Sequence, residues 1–281
     1  MVDYMTQNEK CKNKQADNLI GGWKLSGSVS EYAAAEFHQK TGDQAGSNYI
    51  ELAECHLKTG SIHEAAAAFV DAANCYKKIS PIQSISCLEQ AVNLFSTVGR
   101  LSMAGRYCKE VGEIYEQLRD FEESIKYFEK AAKFFLHESS ITSANQCKQK
   151  VAQFSAQLKQ YTKAIEIFEE IAGEAVNSNL LRYGVRKHLL NAGICHLCRG
   201  DLVAVTKALQ QYQNMDPTFS RTHENELLTD LVAAYGENDV EKFTEVLKDY
   251  DSLSPLDSWK IILLLRVKED LKAKEGIVNR T

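Results

Sequence analysis

A motif of about forty residues that returns without insertions is what most limits the folds open to this chain. Ile85, Leu88, Glu89 and Ala91 come back as Ile125, Phe128, Glu129 and Ala131, then as Ile165, Phe168, Glu169 and Ile171. Leu101, Ala104 and Gly112 open an interleaved series that continues as Ile141, Ala144 and Ala152, then Leu181, Gly184 and Ala192, so each repeat holds two helices. Phe121, Ile125, Phe128, Ala132 and Phe135 fall at helical spacing and form one stripe that must be buried. The small residues Ala104, Gly105, Ala144 and Gly184, in the first helix of each pair, are expected to let large side chains of the neighbouring helix approach closely. Turns are expected near Gly60, Ser80 with Pro81, Gly99, Arg119 with Asp120, and Gly200 with Asp201.

One such hairpin cannot bury its apolar stripe alone, so hairpins stack into a solenoid with long side faces instead of a single pocket. The predicted fold is all-α: a TPR-like helical-hairpin solenoid, a right-handed superhelix over residues 1–215. From Asp216 and Pro217 the period fades, yet Leu227, Leu228, Leu231 and Val232, then Phe243, Val246 and Leu247, keep helical spacing, and residues 259–271 are apolar on one side. Residues 216–281 are therefore read as a helical bundle that caps the last repeat. With only 3 prolines and 15 glycines, the chain has too few breakers for a sheet protein.

Catalytic and cofactor-binding patterns are missing. No GxxxxGK[ST] or GxGxxG loop is present. Cys195 and Cys198 form a CxxC, but no second pair completes a zinc site, and Cys198 stands in the slot of Leu118 and Leu158. His56 and His63, the nearest to a pair among the histidines, lie seven residues apart, a spacing that fits two turns of one helix, and no catalytic role is expected for them. Glu122 with Glu123, and Glu169 with Glu170, are adjacent carboxylates that point different ways and belong to a solvated face. The chain is expected to be no enzyme and to need no cofactor or metal. The polar start, residues 1–18, and the short apolar run at 261–265 predict neither a secretory leader nor a membrane span. Together with the 8 cysteines, most of them single in helical patterns, where a free thiol acts as a small apolar residue, and none expected in a disulfide, this predicts a cytoplasmic protein. A net charge of −5 argues against nucleic-acid binding.

On this acidic background, the repeat register puts Arg106, Gln146 and Arg186 at equivalent positions of successive first helices, with Arg182 and Lys150 a turn away. A basic stripe of this kind suits an extended acidic partner such as a charged helical bundle.

The residues that carry this pattern also carry a resemblance. FVDAANCYKK at 69–78, GRLSMAGRYCKEVGEIYE at 99–116, SANQCKQKVAQFSAQLKQYTKAIEIFEEI at 143–171, NLLRYGVRKHLLNAGICHLC at 179–198, DPTFS at 216–220 and YDSLSPLDSWKIILLLRVKE at 250–269 resemble, in that order, the alpha-type soluble NSF attachment proteins. The resemblance implies an adaptor of vesicle fusion that grips the side of the SNARE four-helix bundle and recruits the NSF hexamer, an ATPase, to take the bundle apart. Arg100, Arg106, Lys150, Arg182 and Arg186 are the positions it implies for the SNARE face, with Gln146 where relatives carry a lysine. Trp23 and Leu25 match an apolar loop that gives weak peripheral contact with membranes, and Ser26 replaces an expected phenylalanine. The helix from Ser28 is expected to be about two turns shorter than in relatives. Glu237 and Glu241, near the tip of the C-terminal bundle by helical pattern, with Ile277 and Val278 of the tail, are expected to face NSF. The tail at 275–281 lacks the family's acidic cluster and leucine and carries Arg280. Two other readings stand beside this one: a helical scaffold with no ATPase partner, and a metal enzyme built on Cys195 and Cys198.

Overall fold

The computed structural model describes the main chain of residues 27–178 and 181–278, and the side chains of 40–178 and 181–274. Every regular element among the described residues is helical. The long α1 (Gly27–Lys58) is followed by α2 (Ile62–Tyr76), α3 (Pro81–Thr97), α4 (Leu101–Gln117), α5 (Phe121–His137), α6 (Ile141–Gln157) and α7 (Tyr161–Val176). A 3-10 turn, Arg182–Gly184, leads into α8 (Val185–Arg199) and α9 (Leu202–Met215). After a second 3-10 turn, Phe219–Arg221, come α10 (His223–Glu237), α11 (Val240–Leu253) and α12 (Ser258–Val278). α1 runs unbroken for 32 residues.

The forty-residue period is two identical steps. α3, α4, α5 and α6 are each 17 residues long, and each is closed by the same short turn. One turn residue takes the left-handed conformation: Gly60 (φ +75°), Gly99 (+73°), Arg119 (+63°), Ser139 (+55°) and Lys159 (+62°). The next amide then reaches back to a carbonyl of the last helical turn, Arg100 N to Phe95 O at 2.8 Å, Asp120 N to Tyr115 O at 3.0 Å, Ser140 N to Phe135 O at 2.8 Å and Gln160 N to Ser155 O at 2.8 Å. These bonds satisfy carbonyls that a helix end leaves unpaired. Gly60 and Gly99 adopt this conformation without strain. At Arg119, Ser139 and Lys159 it costs about 1–2 kcal/mol each, which the packing of the repeats must offset. Asp120, Asp201, Thr222 and Asp239 then start the following helices by accepting the amides of Glu123, Ala204, Asn225 and Lys242.

Small residues against large ones set the approach of the helices. A Cβ on Gly112 would stand 2.9 Å from the Phe128 ring, and one on Gly105 would meet Phe135 at 3.1 Å. Phe128 and its repeat mate Phe168 are fully buried, each contributing about 1.5–3 kcal/mol. Gly184 departs from the expected pattern. It lies in the 3-10 turn before α8, and among the described residues a Cβ there would meet within 4 Å only the His188 ring, at 3.7 Å. A buried serine adds a repeated polar tie, with Ser84 Oγ donating to Ala73 O at 2.9 Å and Ser124 Oγ to Gly112 O at 2.8 Å. Glu169 also departs from its expected solvated face. Its carboxylate accepts Tyr212 Oη at 2.7 Å and lies 3.4 Å from His196 Nε2, which fastens α7 to α8 and α9. Burial pushes this carboxyl up, but the bonds from His196 and Tyr212 outweigh that and hold it below its ordinary value.

The helices after α9 share a core with the last repeats. Phe168, Leu189, Ile194, Leu228, Phe243, Leu263 and Leu271 belong to one buried cluster. Leu228 of α10 sits where a Cβ on Gly193 of α8 would be, 2.5 Å from that position. Trp259 of α12 stacks on Phe168 at 5.9 Å. Arg266 of α12 donates to the carbonyls of Ala156 (3.3 Å) and Gln157 (2.9 Å) at the end of α6. On the opposite side of α12, Ile261, Ile262 and Leu265 are exposed.

Two glycines test the packing rule in opposite directions. Gly112→Ala, forced against Phe128, is expected to lower stability by about 1–3 kcal/mol. Gly173→Ala in α7, whose Cβ meets nothing within 4 Å, is expected to raise it by about 0.5–1 kcal/mol. Thermal unfolding reads the two as shifts of opposite sign, and shifts of equal sign would contradict the rule.

Candidate functional site

Equal helix lengths keep residues forty apart on the same face, and the structure places Arg106, Gln146 and Arg186 all at the exposed surface. On α4, Arg106, Lys109, Glu113 and Glu116 follow helical spacing and share one side. On α6, Gln146, Lys150, Gln153 and Gln157 do the same. The two rows face each other across a groove of about 850 Å³, closed at its far end by Asp257, Ser258 and Trp259 at the start of α12. Half-buried Phe121 and buried Phe154, stacked at 5.1 Å, form part of its floor.

The positions read from sequence as one basic stripe divide into three groups. Arg100, at the N-cap of α4, and Arg106 are exposed and pair with no acid among the described residues; Arg106 lies 5.7 Å from the centre of the Tyr107 ring. Lys150 lies in the groove, where Nζ sits 2.8 and 2.9 Å from the two carboxylate oxygens of Glu116. Arg182 and Arg186 line a separate hollow of about 370 Å³ with Tyr183, Asp216, Thr218 and Thr222. Arg182 stands 3.8 Å from Asp216, and Arg186 3.3 Å from Glu224. The groove does not run on along α8, because α10 and α12 pack against the stretch of α8 from Leu189 to Leu197 that would extend it.

Sequence reasoning missed the acids that hold these cations. Glu116, Asp216 and Glu224 lie 34, 34 and 38 positions from their partners and belong to other elements. The only signal was that each falls about one repeat from its cation. Trp259 was legible as an apolar residue of α12, but not as a wall of the groove.

The remaining expected positions are scattered. Glu237 and Glu241 are exposed at the turn between α10 and α11, with Glu237 paired to Lys242 at 2.9 Å. The main chain of α12 carries the helix to Ile277 and Val278, whose side chains lie outside the described residues. Trp23, Leu25 and Ser26 lie outside them altogether. No described helix is long and apolar enough to cross a membrane.

Cys195 and Cys198 are packed among core residues. Burial pushes the Cys195 thiol well above its ordinary value and the Cys198 thiol up to about 12, where nearby Arg266 lowers it only in part. Cys198 Sγ donates to Leu263 O at 3.6 Å. Thiols held in the protonated form are poor metal ligands and poor nucleophiles. The described residues contain no group of three or more His, Cys, Asp or Glu placed to hold a metal.

Comparison with known proteins fits this architecture. The family model for soluble NSF attachment proteins matches residues 6–272. The alpha-soluble NSF attachment protein of Vitis vinifera is 53% identical, with 98% of this chain and 98% of that protein covered. The alpha-soluble NSF attachment protein of Mus musculus is 38% identical, covering 95% of this chain and 92% of its own length. A probable vesicular-fusion protein, the sec17 homolog of Schizosaccharomyces pombe, is 33% identical, covering 91% and 92%. The match extends from the first repeats through the C-terminal helices, and on it the chain belongs to the soluble NSF attachment protein family.

Proposed function

We propose that this chain is an adaptor of intracellular vesicle fusion that binds the assembled SNARE four-helix bundle and brings the NSF hexamer to it for disassembly. The observation that carries this reading is near-complete coverage by attachment-protein relatives, including every helix whose side chains form the groove. A groove between α4 and α6, with Arg100 and Arg106 on α4 unpaired among the described residues and the Arg182–Arg186 hollow at the start of α8, suits an extended acidic partner. Its place of action on this reading is the cytoplasmic side of membranes, with Trp23 and Leu25 supplying weak peripheral contact. Nothing in the groove calls for a catalytic role, and adaptor function needs none.

At the NSF end, exposed Glu237 and Glu241 supply attraction for a basic surface, and Ile277 and Val278 supply apolar contact. Arg280 stands where relatives carry acid, so coupling to the ATPase is weaker than SNARE binding.

Arg100→Glu with Arg106→Glu is expected to weaken binding to the assembled bundle by about tenfold, and wild-type binding is expected to fall as salt is added. Neither arginine holds an internal acid among the described residues, so the melting temperature should hardly move. Unchanged affinity of the double variant removes the α4 face from the binding surface, and no binding by the wild type in a pull-down removes the function.

Native protein is expected to stimulate NSF ATPase activity poorly, and replacing residues 276–281 by an acidic, leucine-bearing segment is expected to restore it. Equal stimulation by both proteins would show that the tail does not limit coupling.

A further inference from the structure

The floor of the groove is electrically self-cancelled. Its lining cations are Lys109, Lys150 and Arg119, and its lining carboxylates are Glu113, Glu116 and Asp257. Lys109 Nζ lies 3.9 Å from Glu113 on the same helix, a loose pair between exposed groups. The Lys150–Glu116 pair is different. It crosses from α6 to α4, both carboxylate oxygens lie within 2.9 Å of Nζ, and the two side chains are only 38% and 32% exposed. The ammonium also lies 5.5 Å from the centre of the Phe154 ring, which fixes it from below. The uncharged polar groups of the lining are Ser258 and the amides of Gln117, Gln146, Gln149, Gln153 and Gln157.

We propose that Glu116 determines which partners the groove accepts: by holding Lys150 it keeps the centre of the binding face neutral, so that acidic partners are drawn only to its ends. This deepens the proposed function and rests on it. An acidic rod lying in the groove must compete with Glu116 for Lys150, and a carboxylate placed near Glu116 is repelled. Side chains that exchange hydrogen bonds with glutamine amides meet no such penalty. The partner surface that fits therefore has acidic groups in two clusters, opposite Arg100 with Arg106 and opposite Arg182 with Arg186, separated by an uncharged polar stretch. Glu116 is a positioning and specificity residue, since it acts through Lys150 and through its own charge.

The test compares full-length wild type with Glu116→Gln, Lys150→Gln and the double variant, with circular dichroism to confirm unchanged helicity. Two probes are used: the assembled SNARE bundle, and poly-glutamate as a uniformly acidic chain. Glu116→Gln is expected to bind poly-glutamate about three- to tenfold more tightly than wild type, with a steeper salt dependence. On the Lys150→Gln background the same change should bring a much smaller gain than in the wild type, a non-additivity that a merely structural role for Glu116 would not produce. For the SNARE bundle the gain should be smaller, because its central contacts do not depend on a free cation. Unchanged or weaker poly-glutamate binding by Glu116→Gln, or a gain equally large on the Lys150→Gln background, overturns the proposal. Failure of the wild type to bind the SNARE bundle is read separately and strikes the proposed function, while the poly-glutamate arm still reports on Glu116.

Discussion

The fold depends on a turn in which one residue adopts left-handed geometry and one amide reaches back over the preceding helical turn. Because that turn closes four successive helices of 17 residues, the phase of every helix is inherited by the next but one. A turn longer by one residue would rotate the following helix about its axis by roughly 100°. Phe128 would then miss Gly112, and the exposed row on α6 would leave the row on α4. The binding groove is a consequence of this fixed phase. No side chain in it needs a special local structure, only a constant step along the chain.

The same regularity explains the electrostatics. Residues about one repeat apart become neighbours on adjacent layers, and in this chain several such neighbours have opposite charge: Glu116 with Lys150, Asp216 with Arg182, Glu224 with Arg186, Glu129 with Lys163. A protein of net charge −5 thus ties part of its cations to its own acids. Arg100 and Arg106 have no acid within reach on the next layer among the described residues. Charge on a solenoid is set by pairs of layers, and counting basic residues along one helix overstates the field a partner meets.

The repeat, its two helices and most of its turns were legible in the sequence because apolar periodicity and breakers are local signals. The turns at Ser139 and Lys159 were not, since neither residue announces a left-handed conformation. Gly184 was misplaced because the period was carried across the bend at residues 182–184, where a 3-10 turn replaces the first turn of α8. Glu169 was assigned to a solvated face because its neighbour Glu170 belongs there, and only the depth of Tyr212 turns it inward. At the site, exposure of Arg106, Gln146 and Arg186 followed from the register. Division of the stripe did not, because it requires knowing that α10 and α12 fold back over α8.

Arg266 shows how force would travel through the molecule. Its guanidinium spans 110 sequence positions to grip the end of α6, and Trp259, two helical turns earlier, leans on Phe168 of α7. Tension on the far end of α12 therefore enters the middle of the solenoid directly, at α6 and α7 as well as at α8. The load falls as shear along a packed helix and across two hydrogen bonds that must fail together. Peeling hairpins one after another from the end, the easy way to unwind a stack of repeats, is closed to it. The C-terminal bundle is thereby joined to the grooved body as the arm of a lever is joined to its fulcrum, and turning one turns the other.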